Sequence, residues 1–142
     1  MTHHILLVED NSADVFLMET SIEIDQVPMS LQVAGDGVVA MELLEQELRG
    51  GQLPELVLLD LNMPRMNGFE VLAALKASEA LQTLPVVVFT TSTASIDRVR
   101  VQELGANAFL SKPSGFTEVA QLLQSIVDVL RGEKTWTSLA TT

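Results

Sequence analysis

The sequence predicts an α/β fold: a doubly wound sheet of five parallel strands with five helices. Three observations carry this. Five short apolar runs stand at 4–8, 30–34, 55–60, 85–90 and 108–111. Helical patterns fill the gaps, at 12–25, 37–49, 67–79, 94–104 and 116–131. Two runs, Glu55-Leu-Val-Leu-Leu-Asp60 and Pro85-Val-Val-Val-Phe-Thr90, are almost continuously apolar, as central parallel strands covered on both faces must be. Repetition of this β-α rhythm implies right-handed crossovers.

Each element has a local reason. The first strand, His4-Ile-Leu-Leu-Val8, ends at the acidic pair Glu9-Asp10. Ser12 is an N-cap for the first helix, Gly105 ends the fourth, and Pro85 opens the fourth strand where its missing N–H does least harm. At about 100° per residue, Leu17, Met18, Ser21, Ile22 and Ile24 form the inner face of the first helix, with Phe16 opposite beside Glu19, Thr20 and Glu23. In the last helix Phe116, Val119, Leu123, Ile126, Val127 and Leu130 form a core stripe, widened by Leu122 and Val129. The stretch from Gly132 to Thr142 is polar apart from Trp136 and Leu139 and is expected to be loosely held. His3, His4, Met63 and Met66 are assigned no chemistry.

With 142 residues the chain fits one domain with a substantial core; 47% hydrophobic and 19% charged residues rule against disorder. The absence of cysteine removes disulfides, thiolate metal sites and cysteine nucleophiles. No apolar run reaches roughly 18 residues and no basic leader precedes one, so a membrane span and a signal peptide are both disfavoured. The net charge of −11 argues against nucleic acid, which needs a basic face. That charge is uneven. Residues 1–64 hold twelve acids and one base, Arg49; residues 65–142 hold seven of each.

In such sheets ligands bind beyond the carboxyl ends of the strands. The first strand delivers Glu9 and Asp10 there, the third Asp60, the fourth Thr90 and Thr91, and the fifth Lys112. Three adjacent carboxylates repel unless a cation lies among them, and an all-oxygen donor set favours a hard one such as Mg2+. A hydroxyl and an ammonium suit the remaining oxygens of a phosphoryl group. Any one of these residues alone would be an ordinary loop or cap; their arrangement on four strand ends makes a kit for an aspartyl-phosphate.

The residues that carry this pattern closely resemble a known family. Ile5-Leu-Leu-Val-Glu-Asp-Asn11, Leu56-Val-Leu-Leu-Asp-Leu-Asn-Met-Pro-Arg-Met-Asn-Gly68, Pro85-Val-Val-Val-Phe-Thr-Thr91 and Leu104-Gly-Ala-Asn-Ala-Phe-Leu-Ser-Lys-Pro113 are similar to the receiver domains of two-component response regulators. The intervals of 30 residues from Asp60 to Thr90 and 22 from Thr90 to Lys112 fit as well. The resemblance implies a flavodoxin-like strand order 2-1-3-4-5 and a receiver domain over 1–131 followed by a tail at 132–142. It implies a cytoplasmic bacterial switch, not a turnover enzyme, with no DNA-binding output.

By the same resemblance Asp60 is the phosphoacceptor, charged by a sensor histidine kinase in a Mg2+-dependent reaction. Asp10, Asp60 and the backbone carbonyl of Asn62 ligate the metal, with Glu9 acting through water. Thr90 and Lys112 hold the phosphoryl group, and Thr90 and Phe109 form the switch. Pro64 and Gly68 shape the loop after Asp60, Asn62 and Ser92 tune the reset, and the Lys112–Pro113 bond is expected to be cis. Phe16 on the first helix is the candidate kinase contact. Leu122 and Val129 are candidates for a partner surface, and the face of helix 4, strand 5 and helix 5 for homodimerisation.

Two features depart from the common pattern. Glu stands at position 9, where Asp is usual, and Phe109 lacks the hydroxyl of a Tyr. The longer crossover at Arg49-Gly-Gly-Gln-Leu-Pro54, with Thr90-Thr91-Ser92, resembles stand-alone receivers that partner bacterial phytochromes. Competing classes fit less well. A haloacid-dehalogenase-like phosphatase wants a second Asp two residues after the nucleophile, where this chain has Asn62. A flavodoxin-like electron carrier wants a hydroxyl- and glycine-rich loop after the first strand, where this chain has two acids.

Overall fold

A computed structural model describes residues 1–91 and 94–139. Its elements run β1 (His3–Val8), α1 (Ser12–Asp25), β2 (Met29–Ala34), α2 (Gly37–Gly50), β3 (Leu56–Leu59), α3 (Gly68–Ala77), β4 (Val86–Thr90), α4 (Ser95–Glu103), β5 (Ala108–Ser111), α5 (Phe116–Leu130) and a short α6 (Trp136–Leu139). The strands form one parallel sheet in the order β2-β1-β3-β4-β5. The expected fold is therefore observed, with one helix more than expected.

The two-residue period of the strands divides the core into two layers. Leu6, Val8, Val57, Leu59, Val86 and Val88 face one way and pack with Ala40 and Leu44 of α2, Val71, Leu72 and Leu75 of α3 and Val101 of α4. Ile5, Leu7, Leu56, Leu58, Val87 and Phe89 face the other way and meet Met18 of α1 and Val119, Leu123, Ile126 and Val127 of α5. The three central strands are buried along their whole length, apart from His4 near the amino end of β1. At that end His3 is buried, with Nδ1 3.0 Å from Glu55 Oε1, and His4 Nδ1 lies 2.6 Å from the Ser30 hydroxyl.

Several local expectations are corrected. The N-cap of α1 is Asn11, one residue earlier than Ser12: its side-chain oxygen accepts from the backbone N–H groups of Ala13 and Asp14. Ile24 is 63% exposed and Phe116 44% exposed, because both lie in terminal turns that project past the sheet. Among the described residues no peptide bond is cis, so Lys112–Pro113 is trans. Trans is the intrinsically preferred isomer, by about 0.5–1 kcal/mol, and with it the Lys112 N–H still donates to the Thr90 carbonyl at 2.9 Å. The end of the chain is not loose up to Leu139: Trp136 and Leu139 pack on the α1/α5 layer, and α6 lies against β5 and α5.

The loop between β3 and α3 is held at both ends. Asn67 and Glu70 form a reciprocal capping box at the start of α3. Arg65, in the left-handed region at φ 63°, reaches Asp36 at the start of α2 with Nη2 2.6 Å and Nε 3.0 Å from Oδ2. Gly68 lies directly under Asp60. A Cβ there would collide with the Asp60 carbonyl oxygen and stand 2.7 Å from the Leu61 Cα.

Two predictions follow from this loop. Gly68→Ala should destabilise the protein by about 1–3 kcal/mol despite alanine's better helix propensity, because the obstacle is backbone that cannot swing aside; urea denaturation measures it. Asp36 titrates below its ordinary 3.8, first because the Val39 N–H donates to it and then because Arg65 pairs with it. A depressed carboxyl contributes stability above its unfolded value and loses it as pH falls through the folded value. Arg65→Ala should therefore raise the Asp36 pKa toward its ordinary value, as read by carboxyl-carbon NMR, and shrink the stability that is lost as pH falls below about 3.8.

Candidate functional site

The parallel register brings the strand ends together, and backbone bonds carry the ladder one residue further. Glu9 N–H donates to the Ala34 carbonyl at 3.0 Å, Asp60 N–H to Val8 at 3.0 Å and Lys112 N–H to Thr90 at 2.9 Å. Each functional side chain is thus fixed by a strand, not by a free loop. They border an open cleft of about 660 Å3 lined by Glu9, Asp10, Asp14, Asp60, Asn62 and Lys112, among others.

Within it, ligand oxygens of Glu9, Asp10 and Asp60 all lie within 4.8 Å of one another. Glu9 and Asp60 are buried and Asp10 is exposed. The Lys112 ammonium sits among them. It donates to Glu9 Oε1 in a short contact and to Asp14 Oδ2 at 2.9 Å, and lies 3.7 Å from Asp60 Oδ1. Burial pushes the Glu9 carboxyl up to about 7, against the pull of its hydrogen bond to Lys112 and with the help of the nearby Asp60 charge. Burial alone would lower the Lys112 ammonium, but its hydrogen bonds to Glu9 and Asp14 and the charges of Glu9 and Asp60 win and raise it.

Thr90 is fully buried at the end of β4, and Thr91 borders the cleft. Ser92 lies outside the described residues. Phe109 is buried in the α2/α3/α4 layer, with the Arg98 guanidinium 4.8 Å from its ring centre. It lies away from the cleft. Phe16 is 65% exposed on α1, while Leu122 and Val129 are half-buried on α5. Asp14 is the residue that sequence reasoning missed. It lies 98 positions from Lys112 in the chain. Its one available signal is its place four residues after Asp10, which turns it toward the cleft from the first turn of α1.

The donor set contains only oxygen, and burial, with the nearby Asp60 charge adding to it, leaves Glu9 reluctant to ionise. Both properties fit a hard divalent cation better than a soft or nitrogen-preferring one. No helix among the described residues is long and apolar enough to cross a membrane.

The comparisons with known proteins agree with this geometry. The family model for the response regulator receiver domain matches residues 5–124. Response regulator Rcp1 of Synechocystis is 38% identical over 124 residues, covering 86% of this chain and 84% of its own. The Mn(2+)-bound form of Rcp1 superposes with a TM-score of 0.78 at 35% identity, over 94% of this chain and 98% of that one. The phosphorylated cyanobacterial phytochrome response regulator RcpA does so with a TM-score of 0.80 at 34% identity, over 99% and 98%. The bacteriophytochrome response regulator AtBRR gives a TM-score of 0.72 at 41% identity, over 90% and 92%. With its sheet order, its acidic strand ends and these matches taken together, the chain belongs to the response regulator receiver domains of two-component signalling systems.

Proposed function

We propose that this chain is a response regulator receiver whose Asp60 accepts a phosphoryl group from a sensor histidine kinase. The observation that carries the reading is the meeting of the Glu9, Asp10 and Asp60 carboxylates with the Lys112 ammonium at one mouth of the sheet. In the reaction a carboxylate oxygen of Asp60 attacks phosphorus. The phosphorus–nitrogen bond of the donor phosphohistidine breaks, its electron pair stays on the imidazole, and an acyl phosphate forms. Water later cleaves that acyl phosphate, returning carboxylate and inorganic phosphate.

Most of the work is positioning and charge neutralisation. Asp10, Asp60 and the Asn62 backbone carbonyl would hold Mg2+, with Glu9 acting through water, and the ion would neutralise charge on the phosphoryl oxygens. Lys112 would pair with one such oxygen, and Thr90 would donate its hydroxyl to another after moving inward. Phe109, one strand away, would repack with that movement under Arg98. Lack of the Tyr hydroxyl at Phe109 leaves packing as its means of reporting. Residues 1–131 form the receiver unit in this reading and 132–142 a tail, of which Trp136 and Leu139 lean on that unit.

Kinase docking is placed on α1, where Phe16 stands exposed among the exposed acids Glu19 and Glu23. RcpA is a cyanobacterial phytochrome response regulator and AtBRR a bacteriophytochrome one, and the likeness to both supports a phytochrome-type kinase. A homodimer through α4, β5 and α5 would use the exposed Ile96 and Val99 of α4 together with Leu122 and Val129. Output then passes through protein contacts.

Incubation with acetyl phosphate and Mg2+ should add one phosphoryl group by intact mass, and Asp60→Asn should abolish it. Failure of the wild type to label, or normal labelling of Asp60→Asn, would overturn the assignment; chelation of Mg2+ should stop labelling of the wild type. With the kinase as donor, Phe16→Ala should raise the KM for the receiver about five- to tenfold, as loss of a well-packed aromatic anchor does. Transfer should also slow as salt rises, because the acids around Phe16 steer a basic partner face. Transfer kinetics indifferent to ionic strength would leave those acids to solubility alone.

A further inference from the structure

We propose that Asp14 is a positioning residue that holds the Lys112 ammonium off Asp60 until a phosphoryl group arrives, and then gives it up. The inference rests on the reading that Asp60 is the phosphoacceptor. Lys112 Nζ donates to Asp14 Oδ2 at 2.9 Å and to Glu9 Oε1, while Asp60 Oδ1, at 3.7 Å, is beyond hydrogen-bond range. The ammonium that should serve the phosphoryl group is thus engaged elsewhere when the site is unphosphorylated.

The two partners are not equivalent. The Glu9 side chain is 1% exposed and stands at the end of β1, so losing its cation would leave a buried charge without a partner. The Asp14 side chain is 29% exposed on the first turn of α1, so water can replace the ammonium there. A phosphoryl group raises the negative charge on Asp60 from one to about two and adds strong acceptor oxygens. The ammonium, on a flexible four-carbon stem, shifts toward it, and Asp14 is the contact that breaks. The pair ties the loop after β5 to α1, so its loss frees the first turn of the helix that carries Phe16. Asp14 thereby links the state of Asp60 to the proposed kinase-docking helix. An acid in the first helical turn also complements the helix dipole, and the test must separate that role from the one proposed.

Since the pair stabilises only the unphosphorylated arrangement, removing it should favour the phosphorylated one. Beryllofluoride, which builds a phosphoryl mimic on an aspartate in the presence of Mg2+, is titrated by fluorine NMR into four proteins: wild type, Asp14→Asn, Lys112→Gln and the double variant. Asp14→Asn should bind it about two- to tenfold more tightly than wild type, the range for a partly exposed, charge-assisted pair. Asp14→Glu should return affinity toward wild type. In the Lys112→Gln background the Asp14→Asn gain should vanish.

Equal or weaker binding by Asp14→Asn would overturn the proposal. An undiminished gain without Lys112 would overturn it too, since Asp14 would then act only by repelling the incoming anion. No binding by wild type would instead sink the assignment of Asp60 itself. If Lys112→Gln does not fold, the Lys112 Cε resonance in Mg2+-free protein decides: it must shift on Asp14→Asn, and a fixed resonance rejects the contact.

Discussion

A single ammonium group, that of Lys112, makes this site possible. Glu9 and Asp60 are both buried at neighbouring strand ends, and two carboxylates in that position cannot ionise together without a cation. Lys112 arrives from β5, which touches neither β1 nor β3, and spans β4 to reach them. Its main chain is anchored on the Thr90 carbonyl, so the stem starts from a fixed point. Even so, Lys112 brings one positive charge to the carboxylates of Glu9, Asp10, Asp14 and Asp60. The site is folded with a deficit of positive charge, which is the electrostatic condition for taking up a divalent ion.

The two core layers set the surroundings of the proposed switch residues, Thr90 and Phe109. Along β5, Ala108 and Leu110 face α5, while Phe109 between them faces α4. Phe109 pairs in register with Val88, and Ser111 with Thr90, so Thr90 and Phe109 belong to adjacent strands of one ladder. Thr90 is fully buried, so it cannot move without its neighbours yielding. On the α4 side the neighbour is Arg98 stacked on Phe109, a contact that can slide without opening a void. A cavity of about 280 Å3 beside Arg98, Val101, Phe109 and Trp136 leaves space for that side chain to rearrange.

How much of this could be read in the sequence follows from the range of the forces involved. The strands, their order of use and the acids and lysine at their ends were legible, because period-two burial and strand termini are local and dictate where side chains go. Ile24 and Phe116 were misplaced inside because a helical wheel has no ends, whereas the sheet beneath α1 and α5 does. Asn11 took the cap from Ser12 because an amide oxygen one residue earlier reaches two N–H groups at once. The packing of Trp136 and Leu139 depends on how far α5 carries the chain back toward β5, which no local pattern encodes. The Asp14–Lys112 contact was invisible for the same reason: it joins elements that meet only after the whole sheet is built.

The uneven charge of the chain acquires a direction once the structure is known. The bases of the second half are mostly engaged locally. Arg65 is on Asp36, Arg98 and Arg100 are on the rings of Phe109 and Phe69, Lys112 is in the cleft and Lys134 is on Asp128. Several acids of the first half are engaged by those same bases, but Glu19, Glu23 and Asp25 stand exposed along α1, Glu42 and Glu45 along α2, and Asp10 at the foot of α1. The surplus negative charge is thus exposed on α1 as well as α2, and α1 presents Phe16 as an apolar point among its acids. Long-range attraction sets how often a cationic species arrives, and short-range packing sets whether it stays. On the proposed reading, the acids of α1 and its one exposed phenylalanine would divide the labour of recognition on one helix.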